Sequence, residues 1–416
     1  MRIQNKSLLL NFSGYTLINL LNSLTPFIIL PLLTRNLTSS DIGKIDLFTT
    51  SSIFLAPIIG LCFIQSISKL YFSVKNTKKY LSALASSLIV FGIGYLLLAF
   101  LIVHVFNFFD LNADEKKLIG ILLLYVIVNL FVEGFLLLKR NQENLRSFAF
   151  VRLLKTALDI LLTILFLYLI DDFWARIYAI FLSTIITSLI VFYMVIKSGQ
   201  ISFAFDLSMT KKILIYSYPL VFHTFFASIL NYADRYFINE FEGTSELGKY
   251  SVVYQICMVM SLFINSFNMA WMPYFMKNMT ENQVLFSKKI KKLFKYYGSF
   301  LAVAGIIVYF SIPLVYKYYV GNEYRVDHLI YLSLILGYFF NGLYRFKVNH
   351  LFFNEKTFSV AKLSFLTAIL NITLNYFCII KWGILGAAIA TFISYLALYL
   401  FLETELILQK RNESTV

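Results

Sequence analysis

Arg152, Lys155 and Asp159 stand three and four residues apart, so on a helix a guanidinium, an ammonium and a carboxylate share one face. Out of water, such a stripe can offset an anionic group, and its acid can exchange a proton. Glu133 precedes Lys139 by six residues, which puts it roughly 9 Å from the surface that Lys139 marks. With helix entry near residue 149, Lys155 reaches a matched depth of roughly 9 Å and Asp159 roughly 15 Å. Two readings follow. In one, Glu133 and Lys155 lock a hairpin as an ion pair and Lys155 also holds Asp159. In the other, Arg152 and Lys155 form a cationic patch for an anionic headgroup, and Asp159 or Glu133 titrates in a coupling step.

Other charges stand at the ends of apolar runs. Arg35 closes the first and Lys69 lies near the inner end of the second, where it can snorkel to water. Arg345 and Lys347 lie near the inner end of the tenth. Asp234 and Arg235 end the seventh; helix neighbours at i,i+1 do not face each other, so they are not expected to form a self-contained pair. His223 and His104 lie in the seventh and third runs and read as hydrogen-bonded structure, with a switch as the sharper alternative. All six prolines lie in or beside apolar runs, and Pro31 and Pro219 are candidate hinges.

Membrane helices must position these groups. Of 416 residues, 59% are hydrophobic and only 14% charged, against roughly 25% in soluble proteins. A mean hydropathy of +0.75 cannot be covered by a polar surface, so aqueous domains are excluded for most of the chain. Apolar runs fall at 8–33, 44–67, 81–106, 117–138, 150–170, 174–196, 213–238, 250–275, 298–319, 328–352, 360–380 and 384–407. They are continuous rather than alternating, which excludes a β-barrel. The longest break, Lys277 to Tyr297, is too short for a soluble domain. The first run is too long for a signal-peptide core and reads as a span. The expected fold is therefore an all-α membrane protein of about twelve transmembrane helices.

The net charge of +14 does not imply nucleic acid, because the charges sit in short breaks. From Arg2 and Lys6 at the start to Lys410 and Arg411 at the end, 26 of the 36 Lys and Arg fall on one side, which predicts both termini in the cytoplasm. Acids such as Asp110, Asp114, Asp171, Asp172, Glu240, Glu242 and Glu246 lean to the other side. Shifting by 205 residues aligns Ser40-Asp41-Ile42-Gly43-Lys44 with Ser245-Glu246-Leu247-Gly248-Lys249, and Gly14 with Pro219. Two six-helix lobes, 1–200 and 201–416, are expected as parallel repeats, with a cleft between them and alternating access by rocking.

Cys62, Cys257 and Cys378 all lie in apolar runs, and no His/Cys set has metal-ligand spacing. There is no phosphate-binding glycine loop of the ATP motors and no long outer loop with paired carboxylates. An enzyme is not expected, nor a cofactor. A proton or sodium gradient, or consumption of the product, must supply direction. The aromatics, 18% of the chain, suit interfacial belts and sugar stacking alike.

Several motifs then point to a family. Pro31-Leu32-Leu33-Thr34-Arg35 with Asp41-Ile42-Gly43 resembles the end of the first span in polysaccharide-transport flippases of the O-antigen (Wzx) type. Lys69-Leu70-Tyr71 is similar to the exit of their second span, and Asp234-Arg235-Tyr236 with Leu247-Gly248-Lys249-Tyr250-Ser251 to their seventh-span signature. Trp271-Met272-Pro273, Asn371, Asn375 and Gly383-Ile384-Leu385-Gly386-Ala387-Ala388 continue the likeness in order. The resemblance implies a flippase of the multidrug/oligosaccharidyl-lipid/polysaccharide exporter superfamily in a bacterial inner membrane. It would turn an undecaprenyl-diphosphate-linked oligosaccharide, an O-antigen or capsule repeat unit of lipopolysaccharide-type biosynthesis, from the cytoplasmic to the periplasmic leaflet. Lys69, Arg152, Lys155, Arg35 and Arg345 are then the candidates for binding the cargo. Asp159 and Glu133 are the candidates for coupling, and Pro31, Pro219, Asp234 and Arg235 for gating. Implied partners are the lipid-linked oligosaccharide, membrane lipids, a polysaccharide polymerase and a chain-length regulator. The alternatives are an ion-coupled multidrug exporter, whose cleft should be lined by acids, and a polysaccharide polymerase, which the lack of a large outer loop disfavours.

Overall fold

A computed structural model describes residues 2–105, 111–202 and 205–414, and the side chains of these except 2–13, 104–105, 282–284, 287–288 and 410–414. Arg2, Lys6, His104, Asp110, Lys410 and Arg411 thus lie outside the described side chains. Every regular element among the described residues is a helix, as hydrocarbon demands of a backbone that must satisfy its own hydrogen bonds. In order the helices are α1 (Arg2–Asn36), α2 (Ser39–Ile59), α3 (Ile67–Ser73), α4 (Thr77–Phe100), α5 (Ala113–Asn141), α6 (Leu145–Leu169), α7 (Trp174–Ser198), α8 (Leu207–Glu242), α9 (Thr244–Cys257), α10 (Val259–Val315), α11 (His328–Lys347), α12 (Asn349–Phe353) and α13 (Thr357–Ser414). Among the described residues, ten helical stretches are long and apolar enough to cross a membrane. Beside them stands α6, 25 residues long, which carries Arg152, Lys155 and Asp159.

Polar breaks supply the caps. Asn76 accepts from the Lys79 amide, Asn144 from Ser147, and Asn112 forms a capping box with Glu115. Asp206 caps α8 by accepting from the Met209 amide at 2.7 Å, and also binds Lys79 Nζ at 2.7 Å. The Lys79 ammonium, then Ser208 and the Met209 amide, hold the Asp206 carboxyl well below the usual carboxylate range.

The helices depart from the outline of the expected spans at three places. The second span is interrupted: α2 stops at Ile59, two residues past Pro57, and Leu61 and Cys62 take positive φ of 45° and 51° before α3 begins. The expected break at Lys277–Tyr297 is helical, because Pro273 is followed by no Pro or Gly until Gly298 and the segment is rich in Lys, a good helix former. Yet α10 cannot be straight. Phe267 and Tyr297 would be about 45 Å apart along an ideal axis, but their rings stack at 4.0 Å. The helix therefore doubles back into two arms, within Thr244–Glu281 and Lys289–Val320. Likewise α13 breaks at Gly383, whose φ of 57° and ψ of −139° are not helical, and Asn371 on one arm donates to Ser394 on the other.

Contacts divide the chain into two compact units, residues 1–25 with 47–225, and residues 26–46 with 226–416. This grouping differs from a cut at residue 200: residues 201–225 cluster with the first unit and 26–46 with the second. In the first unit, Phe63, Ile67, Tyr80, Leu138 and Ile213 form one core cluster, and Val132, Phe135, Phe148, Val151 and Val191 another. In the second, Val348, Leu351, Leu363, Tyr395 and Leu398 pack together, beside a stack in which Trp271 lies 4.2 Å from Phe346.

Candidate functional site: a cationic cavity and a glycine seam

The hairpin of α5 and α6 carries the charged stripe. Measured from the observed helix ends, Glu133 is eight residues before Asn141 and Arg152 seven after Leu145. Those offsets are roughly 12 and 10 Å, so Arg152, not Lys155, is at the depth of Glu133. Arg152 Nη1 accordingly donates to Glu133 Oε1 at 2.7 Å. The expected Glu133–Lys155 pair is not formed; Lys155 lies deeper and donates to Asn129 Oδ1. Nor does Lys155 hold Asp159. The cation there is Arg176 of α7, whose two Nη atoms meet the two carboxylate oxygens at 2.7 and 3.1 Å, while Nη1 also reaches Thr163 Oγ1 at 2.6 Å. Arg176 was not singled out in the sequence, where it reads as one more outer basic residue. The signal was Asp159 itself, a deep acid that calls for a cation on the helix following its own.

Beside the Arg152–Glu133 pair lies a cavity of about 220 Å³, lined by Asn19, Gln65, Glu133, Arg140 and Arg152, with Leu136 and Phe148 among its apolar walls. Two guanidiniums face one carboxylate, so the lining carries a surplus cation. Arg152 Nε and Gln65 Oε1 are buried without a hydrogen-bond partner. Buried polar groups are normally paired, so these two leave the wall of the cavity incompletely satisfied. The volume is below the roughly 300 Å³ at which ligand pockets begin. It suits one phosphoryl-sized group and excludes a disaccharide.

In the second unit, Asp234 and Arg235 do interact, against expectation. Although adjacent, their buried side chains fold together: Arg235 Nη1 donates to Asp234 Oδ1 at 2.6 Å. A long flexible guanidinium can turn back where an i,i+1 rule based on Cβ directions would separate two groups. Tyr250 Oη donates to the other Asp234 oxygen at 2.7 Å, and Arg235 packs over the Tyr254 ring at 4.0 Å. Arg235 Nε is 3.6 Å from Asp46 Oδ2, which also accepts from Ser251 Oγ at 2.6 Å.

One turn from Asp46, the first strip of α2 meets the first strip of α9. Ser39 and Ser245 hydroxyls are 2.7 Å apart and those of Ser40 and Thr244 2.8 Å. A Cβ on Gly43 would fall 2.0 Å from the Thr244 carbonyl oxygen, and one on Gly248 1.8 Å from that of Ser39. The two sequence segments that align under the 205-residue shift are thus in direct and reciprocal contact, and only glycine fits at either crossing point.

The remaining sequence candidates lie apart from both places. Lys69 is exposed, 5.5 Å over the Tyr216 ring. Arg35, also exposed, donates to the Tyr318 carbonyl at 3.3 Å, and Arg345 donates to Asn265. Lys347 pairs with Glu403. Pro31 lies within α1, Pro219 is exposed within α8, and His223 is exposed on the same helix.

The family described as Polysaccharide biosynthesis protein matches residues 8–279. A membrane protein of Haemophilus influenzae is 25% identical over 409 residues, covering 94% of this chain and 92% of its own. The capsular polysaccharide biosynthesis protein CapF of Staphylococcus aureus is 20% identical over 417 residues, covering 94% and 98%. Among solved structures, the lipid II flippase MurJ in an inward closed conformation superposes with a TM-score of 0.70 at 15% identity, covering 98% of this chain and 87% of that one. An inward-facing multidrug resistance MATE family transporter of the MOP superfamily gives 0.67 at 15% identity, with 95% of each chain covered.

Proposed function

The chain belongs to the polysaccharide biosynthesis protein family and has the MOP-superfamily transporter fold, and on that premise we propose that it is a flippase of the O-antigen (Wzx) type. Its cargo in this reading is an undecaprenyl-diphosphate-linked oligosaccharide, carried from the cytoplasmic to the periplasmic leaflet by alternating access of two six-helix lobes. The observation that carries the reading is the cavity beside Arg152. A diphosphate cannot enter hydrocarbon unshielded, and here two guanidiniums outnumber one carboxylate around a phosphoryl-sized space. The multidrug alternative wants surplus acid for cationic drugs, the opposite of this lining.

In this reading Arg152 and Arg140 receive a phosphoryl oxygen, and Lys155 adds positive charge one turn deeper. Lys69, Arg35 and Arg345 serve as outlying contacts along the path. Coupling falls to Glu133, which must release Arg152 for the cargo and can do so by taking a proton. Asp159, with both oxygens held by Arg176, is assigned the structural role. The Gly43/Gly248 seam, backed by Asp46, Asp234 and Arg235, acts as a gate, and Pro31 and Pro219 as its hinges. Cells lacking the protein are expected to accumulate a lipid-diphosphate-linked oligosaccharide on the cytoplasmic face. Lipid extraction and mass analysis check this, and normal levels of every such species would overturn it.

The same reading sets twelve spans in an inner membrane, with α10 and α13 each crossing twice, α6 counted as a span and both termini cytoplasmic. Reporter fusions after Lys79 and Lys292 are then cytoplasmic, and fusions after Asp114 and Glu242 periplasmic. A periplasmic signal at Lys292 would refute this topology.

A further inference from the structure

The two arms of α10 enclose a groove of about 640 Å³ that the transport reading does not use. Ala270, Trp271 and Tyr274 line it from one arm, and Leu293, Tyr296 and Phe300 from the other. These are helical spacings, so each arm turns one continuous face to the groove. Its walls are rigid: Trp271 Nε1 donates to the Phe346 carbonyl at 3.0 Å, and Phe267 stacks on Tyr297. Among the described lining residues the single charge is Lys289, exposed at one end and donating to Tyr274 Oη at 3.1 Å. One turn on, Lys292 lies 5.6 Å over the Tyr296 ring, and Lys291 and Lys295 are exposed beside it. The nearby acid Glu281 is within 3.8 Å of Lys277 and does not line the groove.

We propose that this groove is a binding site for an anionic diacyl phospholipid, with the phosphodiester between Lys289 and Lys292 and one acyl chain lying along Ala270, Leu293 and Phe300. Charge complementarity places the headgroup, since juxtamembrane lysines attract anionic lipid. Length selects the lipid. From Lys289 to Phe300 the groove runs roughly 16 Å, about half of a ~30 Å hydrocarbon core. That is the depth of one leaflet, which fits an acyl chain and leaves most of a long polyisoprenoid outside. The bound lipid would fill the fork of the folded-back helix.

Binding is read in detergent without transport, so the site stands or falls apart from the flippase reading. The full chain, purified and stripped of lipid, is titrated with dioleoyl phosphatidylglycerol or dioleoyl phosphatidylcholine, and bound lipid is counted by native mass spectrometry. The phosphatidylglycerol preference is expected to be about tenfold. Lys289→Gln with Lys292→Gln should cut it to within about twofold. Ala270→Trp, which fills the groove, should lower occupancy of both lipids; should that variant fail to fold, the lysine pair decides alone. An unchanged preference in the lysine variant overturns the site. So does an equal loss in Lys116→Gln with Lys117→Gln, which lie elsewhere. Undecaprenyl phosphate displacing phosphatidylglycerol from the wild type, and losing its own binding in Ala270→Trp, would give the groove to the polyprenyl carrier and overturn the assignment.

Discussion

Arg152→Ala is expected to abolish surface glycan export while leaving the protein in the membrane at near-normal level. Arg152 gives one Nη to Glu133 and lines the cavity, and its Nε is buried without a partner. Losing a hydrogen bond to a charged group costs about 1.5–3 kcal/mol, a loss of roughly ten- to hundredfold in cargo affinity. A purely structural pair predicts another outcome. Breaking a fully buried pair costs about 3–5 kcal/mol, but the Glu133 side chain is 37% exposed, so solvent screening brings the figure toward that of surface pairs. Immunoblots of membrane fractions beside glycan staining separate the two. The double change Glu133→Gln with Arg152→Gln is the sharper arm, because it removes both charges and strands neither. Export restored in that variant would reduce the pair to structure and end the cargo-binding assignment.

Cross-linking the seam should have an equally large effect. Ser39→Cys with Ser245→Cys replaces two hydroxyls 2.7 Å apart, close enough for a disulfide, whose Cβ atoms lie about 3.8 Å apart. The native cysteines, Cys62, Cys257 and Cys378, are buried and unpaired. Oxidation is expected to arrest transport in vesicles, and a reductant to restore it. Full transport by the oxidised protein would mean that α2 and α9 never part here, and the gate reading would go. Gly248→Ala attacks the same contact from the other direction. Its new methyl falls on the Ser39 carbonyl, and the backbone cannot yield as a side chain would.

The helices were legible because hydrocarbon leaves the backbone one solution, while the caps at Asn76, Asn112 and Asn144 come from the structure. The charged stripe on α6 was legible as a face, but its partners were not. Arg152 meets Glu133 only when depth is counted from the true helix ends, a shift of a few residues that moves every pairing by one turn. Arg176 was hidden because its side chain reaches inward from a position that reads as a loop boundary. The return of the chain between the runs 250–275 and 298–319 was legible from the charged break at Lys277–Tyr297, but not that a lysine-rich helix carries it. The 205-residue repeat was visible, but no sequence alignment says that two aligned segments touch.

That contact ties the fates of two distant codons. At the seam each glycine leaves room for the backbone that the other exposes, so the cost of a first substitution is the separation of α2 from α9. Once they have parted, a side chain at the second position meets little resistance. The penalties at 43 and 248 should therefore be strongly sub-additive, since residues in one contact do not add independently. A survey of single substitutions would score both positions as intolerant, and would miss that they constitute one constraint.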